Sequence, residues 1–154
     1  LHGMTPQEFL GKVSEKFEVT QTEGGKPFKP HQVHEFSMYL DGKWYRLTAK
    51  PDTFPEKDPV KSLDVSILQE NLLSPVLGIS DPRKDKRIDF VGGIRGLSEL
   101  KKRVDSGKFK AAFAFYPTSI EQLISIADAG KTMPPKSTWF EPKLKSGLVV
   151  HLLD

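Results

Sequence analysis

The residues best suited to chemistry fall in two places. Gly92, Gly93, Ile94, Arg95 and Gly96 stand between an expected strand and an expected helix. Glycines there let the backbone turn sharply and approach a ligand closely. Free N–H groups at the start of the next helix favour an anion, and Arg95 adds a guanidinium able to grip two oxygens. Asp89, just before the turn, suits a hydroxyl or a metal-bound phosphate, and equally suits capping or pairing with Arg87 or Arg95. The turn matches neither the dinucleotide fingerprint nor the P-loop pattern, and a purely structural turn is the competing reading. The second place is the stretch 133–147, where Pro134, Pro135 and Pro142 forbid a regular helix. Lys136, Ser137, Thr138, Lys143, Lys145 and Ser146 offer partners for phosphate or carboxylate, Trp139 and Phe140 offer stacking surface, and Glu141 is the acid/base candidate. The same loop is also explained by aromatics anchored in the core and solvated lysines.

Helices and strands must position these residues. Thr5, Pro6 and Glu8 form a helix start with a capping box, and Phe9, Leu10, Val13 and Phe17 recur at helical spacing, which predicts a helix over 6–16. A strand follows over 17–22, broken by Gly24 and Gly25. Residues 34–40 and 43–50 flank Asp41 and Gly42, a favoured two-residue turn, and predict a hairpin with one face on the core. A helix is expected over 62–73 from the stripe Leu63, Ile67, Leu68 and Leu72, a charged loop over 81–87, a short strand over 87–91 and a helix over 97–105. Residues 111–116 suit a buried central strand. Thr118 and Glu121 suggest a second capping box, opening a helix with Ile120, Leu123, Ile124 and Ala127 on its apolar face and Gly130 at its end. Residues 147–153 read as a final apolar strand. The pattern predicts a single α+β domain over 1–154, with a mixed sheet, an Asp-Gly hairpin and about four helices.

Composition narrows the function classes. Of 154 residues, 37% are hydrophobic and 28% charged, with a net charge of +3 and both signs interspersed, which argues against nucleic acid as a partner. The absence of cysteine excludes disulfides, thiolate catalysis and cysteine-ligated zinc. No apolar run approaches the roughly 18 residues of a membrane span. A cytoplasmic, membrane-free protein is the expectation. The chain opens at Leu1, which suggests a fragment of a longer protein. His31 and His34 are three apart at a loop-to-strand boundary, and with no carboxylate at ligand spacing no metal site is assigned; His151 reads as a buried strand histidine. Asp64 and Glu70 are six apart on one helix and do not form a carboxylate pair by spacing.

Several motifs in fixed order carry a family resemblance. Trp44 to Leu47, Leu63 to Leu73, Asp81 to Arg83, Arg87 to Gly93, Tyr116 to Leu123 and Met133 to Lys143 together resemble the C-terminal part of a bacterial and archaeal family catalogued as domain of unknown function 1015. The resemblance implies a longer protein whose upstream half carries an Asp-Gly-His-His-Arg-Tyr segment, similar to ParB-like proteins, a superfamily that includes free-serine kinases. It also implies an association with serine metabolism. On that basis the expected function is part of a small-molecule phosphotransferase site, with a nucleotide and Mg²⁺ as implied cofactors and a small anionic metabolite as substrate. Gly92, Gly93, Arg95, Lys136, Ser137, Thr138 and Lys143 would hold anionic oxygens, and Asp89 or Glu141 would assist proton transfer or Mg²⁺. The alternative expectation is a non-catalytic module in which the Pro-rich loop and the Trp44 hairpin dock on the missing N-terminal portion or on a second subunit.

Overall fold

The structure is a computed structural model that describes residues 1–138. Helix α1 spans Pro6–Lys16 and is closed at its start by the capping box: Glu8 N–H donates to Thr5 Oγ1 at 3.3 Å, and Thr5 N–H to Glu8 Oε2 at 2.8 Å. Strand β1 (Phe17–Gln21) follows without a break, and a 3₁₀ turn over Glu23–Gly25, with both glycines at positive φ, turns the chain away. Strands β2 (Glu35–Leu40) and β3 (Lys43–Ala49) form the hairpin. Asp41 and Gly42 sit at φ 48° and 75°, the left-handed pair that a twisted two-residue hairpin turn requires.

Helix α2 (Asp64–Leu68) widens into a π-helical turn over Gln69–Leu73, so the helix expected over 62–73 is shorter and changes pitch midway. Side chains explain the change: Asn71 Nδ2 donates to the carbonyls of Ile67 and Thr53, both at 3.0 Å, and Gln69 Nε2 to the carbonyl of Ile79 at 2.7 Å. A 3₁₀ turn over Gly93–Arg95 leads into α3 (Gly96–Asp105), then β4 (Ala111–Phe115) and α4 (Ile120–Asp128).

The strands order β1-β3-β2-β4, and every pairing is antiparallel. The α+β class and the hairpin stand as expected, while the sheet of the described residues is antiparallel rather than mixed. The strand expected over 87–91 does not form. Arg87 instead donates to the carbonyls of Leu77 and Gly78 at 3.0 and 2.9 Å and pairs with Asp85, so its segment is tied to the end of the α2 region. The final strand expected over 147–153 lies outside the described residues. Among the described residues β4 stands at the end of the sheet rather than at its centre as expected, and its residues are half-buried or exposed. The cap of α4 is Ser119 with Gln122, one residue later than expected from Thr118 and Glu121.

The sheet buries two different faces. On the first, Phe36, Met38 and Leu40 of β2 and Tyr45, Leu47 and Ala49 of β3 join Phe9 and Val13 of α1 and Ile67, Leu68 and Leu72 from α2 and its π turn. Phe36 meets Phe17 edge-on at 5.4 Å and Phe115 at 5.8 Å. On the second face, Glu35, Ser37 and Tyr39 are buried too, so β2 is covered on both sides rather than one. Tyr39 OH donates to Asp105 of α3 at 2.7 Å and its ring packs on Trp44 at 4.8 Å. Because Phe36 has no exposed surface and contacts aromatics from both edge strands, Phe36→Ala is expected to lower unfolding free energy by about 3–5 kcal/mol in chemical denaturation.

Candidate functional site

The glycine turn is on the surface. Gly92 enters it in extended backbone, Gly93, Ile94 and Arg95 form the 3₁₀ turn, and Gly96 sits at φ 67° where a side chain would be strained. All but Gly92 are exposed. The start of α3 has no side-chain cap, in contrast to the capping boxes of α1 and α4. Arg95 makes no ion pair among the described residues.

Asp89 is occupied. One carboxylate oxygen accepts from the N–H of Phe90 at 2.8 Å and the other pairs with Arg103 of α3. The Phe90 amide and the Arg103 guanidinium hold its carboxyl below the ordinary value. An ionised carboxylate of that kind suits holding a cation better than taking a proton near neutral pH. The partner is Arg103, neither Arg87 nor Arg95. Glu99 pairs with the same guanidinium at 2.9 Å, so the acidic group in the first turn of α3 is already neutralised.

In the Pro-rich stretch, Lys136 sits at φ 62° and is exposed. Ser137 Oγ donates to the carbonyl of Pro134 at 2.5 Å, and the carbonyl of Ser137 accepts from Thr118 Oγ1 at 3.2 Å. Thr138 is exposed. The loop is thereby fixed beside the start of α4. Among the described residues, no hydrogen bond or ion pair joins it to the glycine turn. Trp139, Phe140, Glu141, Lys143, Lys145, Ser146 and His151 lie outside the described residues.

Sequence reasoning passed over the buried polar groups. Glu35 is 2% exposed, pairs with Arg46 across the hairpin, and accepts the N–H of His31 at 3.0 Å. Phe28 lies under the Arg46 guanidinium, 5.4 Å from the ring centre. Ser37 Oγ and Trp44 Nε1, on that same sheet face, find no hydrogen-bond partner among the described residues. The burial of Trp44 also removes the exposed aromatic that a docking hairpin would have offered. The two-residue period of β2 carried the signal: a charged residue and a serine alternating with apolar residues are placed on one face, and only tertiary contacts there, such as the His31 amide on Glu35 and Asp105 of α3 on Tyr39, tell that the face is buried.

Asp64 opens α2 and is buried. Its Oδ1 accepts the backbone N–H of His34 at 2.8 Å, and His34 adopts φ 67° to present it. The His34 ring lies within 3.2 Å of the carbonyl of Ser62 and packs on Phe54 at 4.4 Å, so this histidine fastens a loop. Burial pushes the Asp64 carboxyl up to about 7, outweighing the His34 hydrogen bond that favours the anion. A shallow depression elsewhere is lined by Asp58, Lys61, Lys131 and Thr132. There Lys131 pairs with Asp58 at 2.8 Å and, with the amides of Lys61 and Val60, lowers its carboxyl to about 2.

The described chain is therefore an α+β domain built on an antiparallel sheet with a surface glycine turn and a strongly polar second sheet face. Residues 1–66 match the family described as "Protein of unknown function (DUF1015)". That match supports the family resemblance from α1 through the hairpin to the start of α2, and every sequence-predicted site residue follows it in the chain. No curated protein matches, and no solved structure matches. Among the described residues no helix is long and apolar enough to cross a membrane.

Asp64 gives this part of the structure a pH signature. The folded protein keeps a proton that the unfolded chain releases near 3.8, so the stabilisation is full below that value and is lost as pH rises through about 7. Asp64→Asn retains the acceptor for His34 and carries no charge. Thermal or urea unfolding between pH 4 and 8 is expected to show a flatter profile in the variant, with a gain on the order of 2 kcal/mol over wild type at pH 8.

Proposed function

We propose that this chain is the C-terminal part of a small-molecule phosphotransferase related to the free-serine kinases, and that it supplies one anion-binding wall of the site. The observation that carries the reading is the start of α3. A ten-residue helix opens on the surface without a side-chain cap, straight after a glycine turn, with Arg95 beside it. Uncapped amides and the positive end of the helix dipole attract phosphate or carboxylate oxygens, and a guanidinium adds a paired contact. The acidic neighbours Asp89 and Glu99 are already engaged by Arg103 and do not fill the turn.

Phosphoryl transfer asks the protein mainly for positioning and charge neutralisation. In this reading Gly92, Gly93 and Arg95 hold anionic oxygens. Lys136, Ser137, Thr138 and Lys143 extend the contact to the substrate, and Asp89 helps hold Mg²⁺ rather than acting as a base. Glu141 is then the proton acceptor, and the remaining machinery, nucleotide binding included, belongs to the upstream portion of the protein. The substrate class is a small hydroxyl-bearing metabolite such as serine, or its phosphorylated form, and the setting is the cytoplasm.

Titrating inorganic phosphate and phosphoserine into ¹⁵N-labelled protein tests the wall directly. The amides of Gly93, Ile94, Gly96 and Leu97 are expected to shift in a saturable way, and Arg95→Ala to weaken binding roughly tenfold, in line with the loss of one charge-assisted contact. Unmoved amides at the turn, or shifts confined to the Asp58–Lys131 depression, would refute the reading.

A further inference from the structure

We infer that residues 26–33 form a strap that lifts from, and closes over, the Glu35–Arg46 pair of the hairpin while both its ends stay tied. Each end is fastened to the backbone. At the first, Gly24 and Gly25 turn the chain at φ 61° and 67°, and Thr22 Oγ1 donates to the carbonyl of Lys26 at 2.8 Å. At the second, His34 gives its N–H to Asp64, and its carbonyl accepts the N–H of Ala49 at 3.0 Å.

The middle is held in another way. Among the described residues, no backbone group of residues 27–31 bonds to another backbone group. Pro27 and Pro30 have no N–H to give. Pro30 is buried and Phe28 half-buried, while the rest of the strap is exposed. One closed circuit of contacts fixes it to the sheet. The Phe28 ring lies under the Arg46 guanidinium, and Arg46 pairs with Glu35. Glu35 accepts the His31 N–H at 3.0 Å, and the His31 ring meets Phe28 edge-on at 5.5 Å.

The layer beneath is far more firmly bonded. β2 and β3 are the inner strands of the sheet, each with a ladder partner on both sides. A segment with few buried apolar contacts and few backbone bonds opens at less cost than the sheet it lies on. The strap therefore lifts as a unit, parting Phe28 from Arg46 and His31 from Glu35, and leaves the ladder intact. Glu35 is 2% exposed with the strap closed, and lifting brings its carboxylate into water beside Arg46. The strap is thus a movable cover on a charged pair. None of these contacts involves the anion-binding wall.

Amide hydrogen exchange on the ¹⁵N-labelled full chain, in low concentrations of urea, tests the strap. The His31 amide is expected to exchange through an opening at least about a hundredfold more populated than global unfolding, with little dependence on urea. Met38 and Leu47 are expected to exchange only through global unfolding. Phe28→Ala, a change confined to the strap, should speed His31 exchange about fivefold and leave Met38 and Leu47 unchanged, and Phe28→Tyr should keep the wild-type rate. His31 exchanging in step with Met38 and Leu47 would overturn the proposal, because the strap would then open only with the sheet. Exchange of His31 at the rate of an unstructured chain would overturn it as well, since there would be no closed state. So would a Phe28→Ala variant in which all three amides change alike, or none does.

Discussion

Complete burial of β2 is the constraint on which the rest of this structure depends. Both faces of the strand must be covered, and the two faces make opposite demands. Phe36, Met38 and Leu40 need apolar partners, which α1, α2 and the edge strands supply. Glu35, Ser37 and Tyr39 need hydrogen-bond partners in a place from which water is excluded. Arg46 and the amide of His31 meet the first of these needs, and Asp105 meets the third. The position of α3, and therefore of the glycine turn at its start, follows from the hydrogen bond between Tyr39 and Asp105 and the Lys101 ammonium over the Tyr39 ring.

Polar side chains also decide the irregular half of the chain. Asp64 receives the His34 amide, Asn71 bridges two carbonyls, Gln69 takes a third, and Arg87 closes two more. These contacts replace the regular structure expected over 87–91 and bend the helix over 62–73 into a π turn. Each gives a backbone carbonyl or amide a hydrogen-bond partner. The loop between β3 and α2 is therefore fastened by specific bonds, and a carboxyl that retains its proton near neutral pH is one of them.

The candidate chemistry lies apart from this buried framework. The glycine turn, Arg95 and Lys136 are exposed, while the polar groups with the most restrictive surroundings, Glu35 and Asp64, serve packing and connection. Exposed positions on fixed elements are where ligand contacts usually reside. The uncapped start of α3 stands out because the other two long helices, α1 and α4, invest side chains in the same task.

Elements with local causes are legible in the chain. The capping box of Thr5 and Glu8, the left-handed Asp41 and Gly42 turn, the stripe of Leu63, Ile67, Leu68 and Leu72, and the strand over 111–115 all follow from spacing within a few residues. Their energetics depend on near neighbours, so the chain carries them legibly. What lies between elements is settled by packing: that both faces of β2 are covered, that β4 stands at the end of the sheet among the described residues, that Asp89 is taken by Arg103, and that Ile120 and Ile124 are exposed. The spacing of a helical stripe states that a face is apolar and does not state what will meet it. Arg103 lies fourteen residues from Asp89, and Asp105 sixty-six from Tyr39. Pairings at such distances are chosen by the packing of whole elements, which no local pattern encodes.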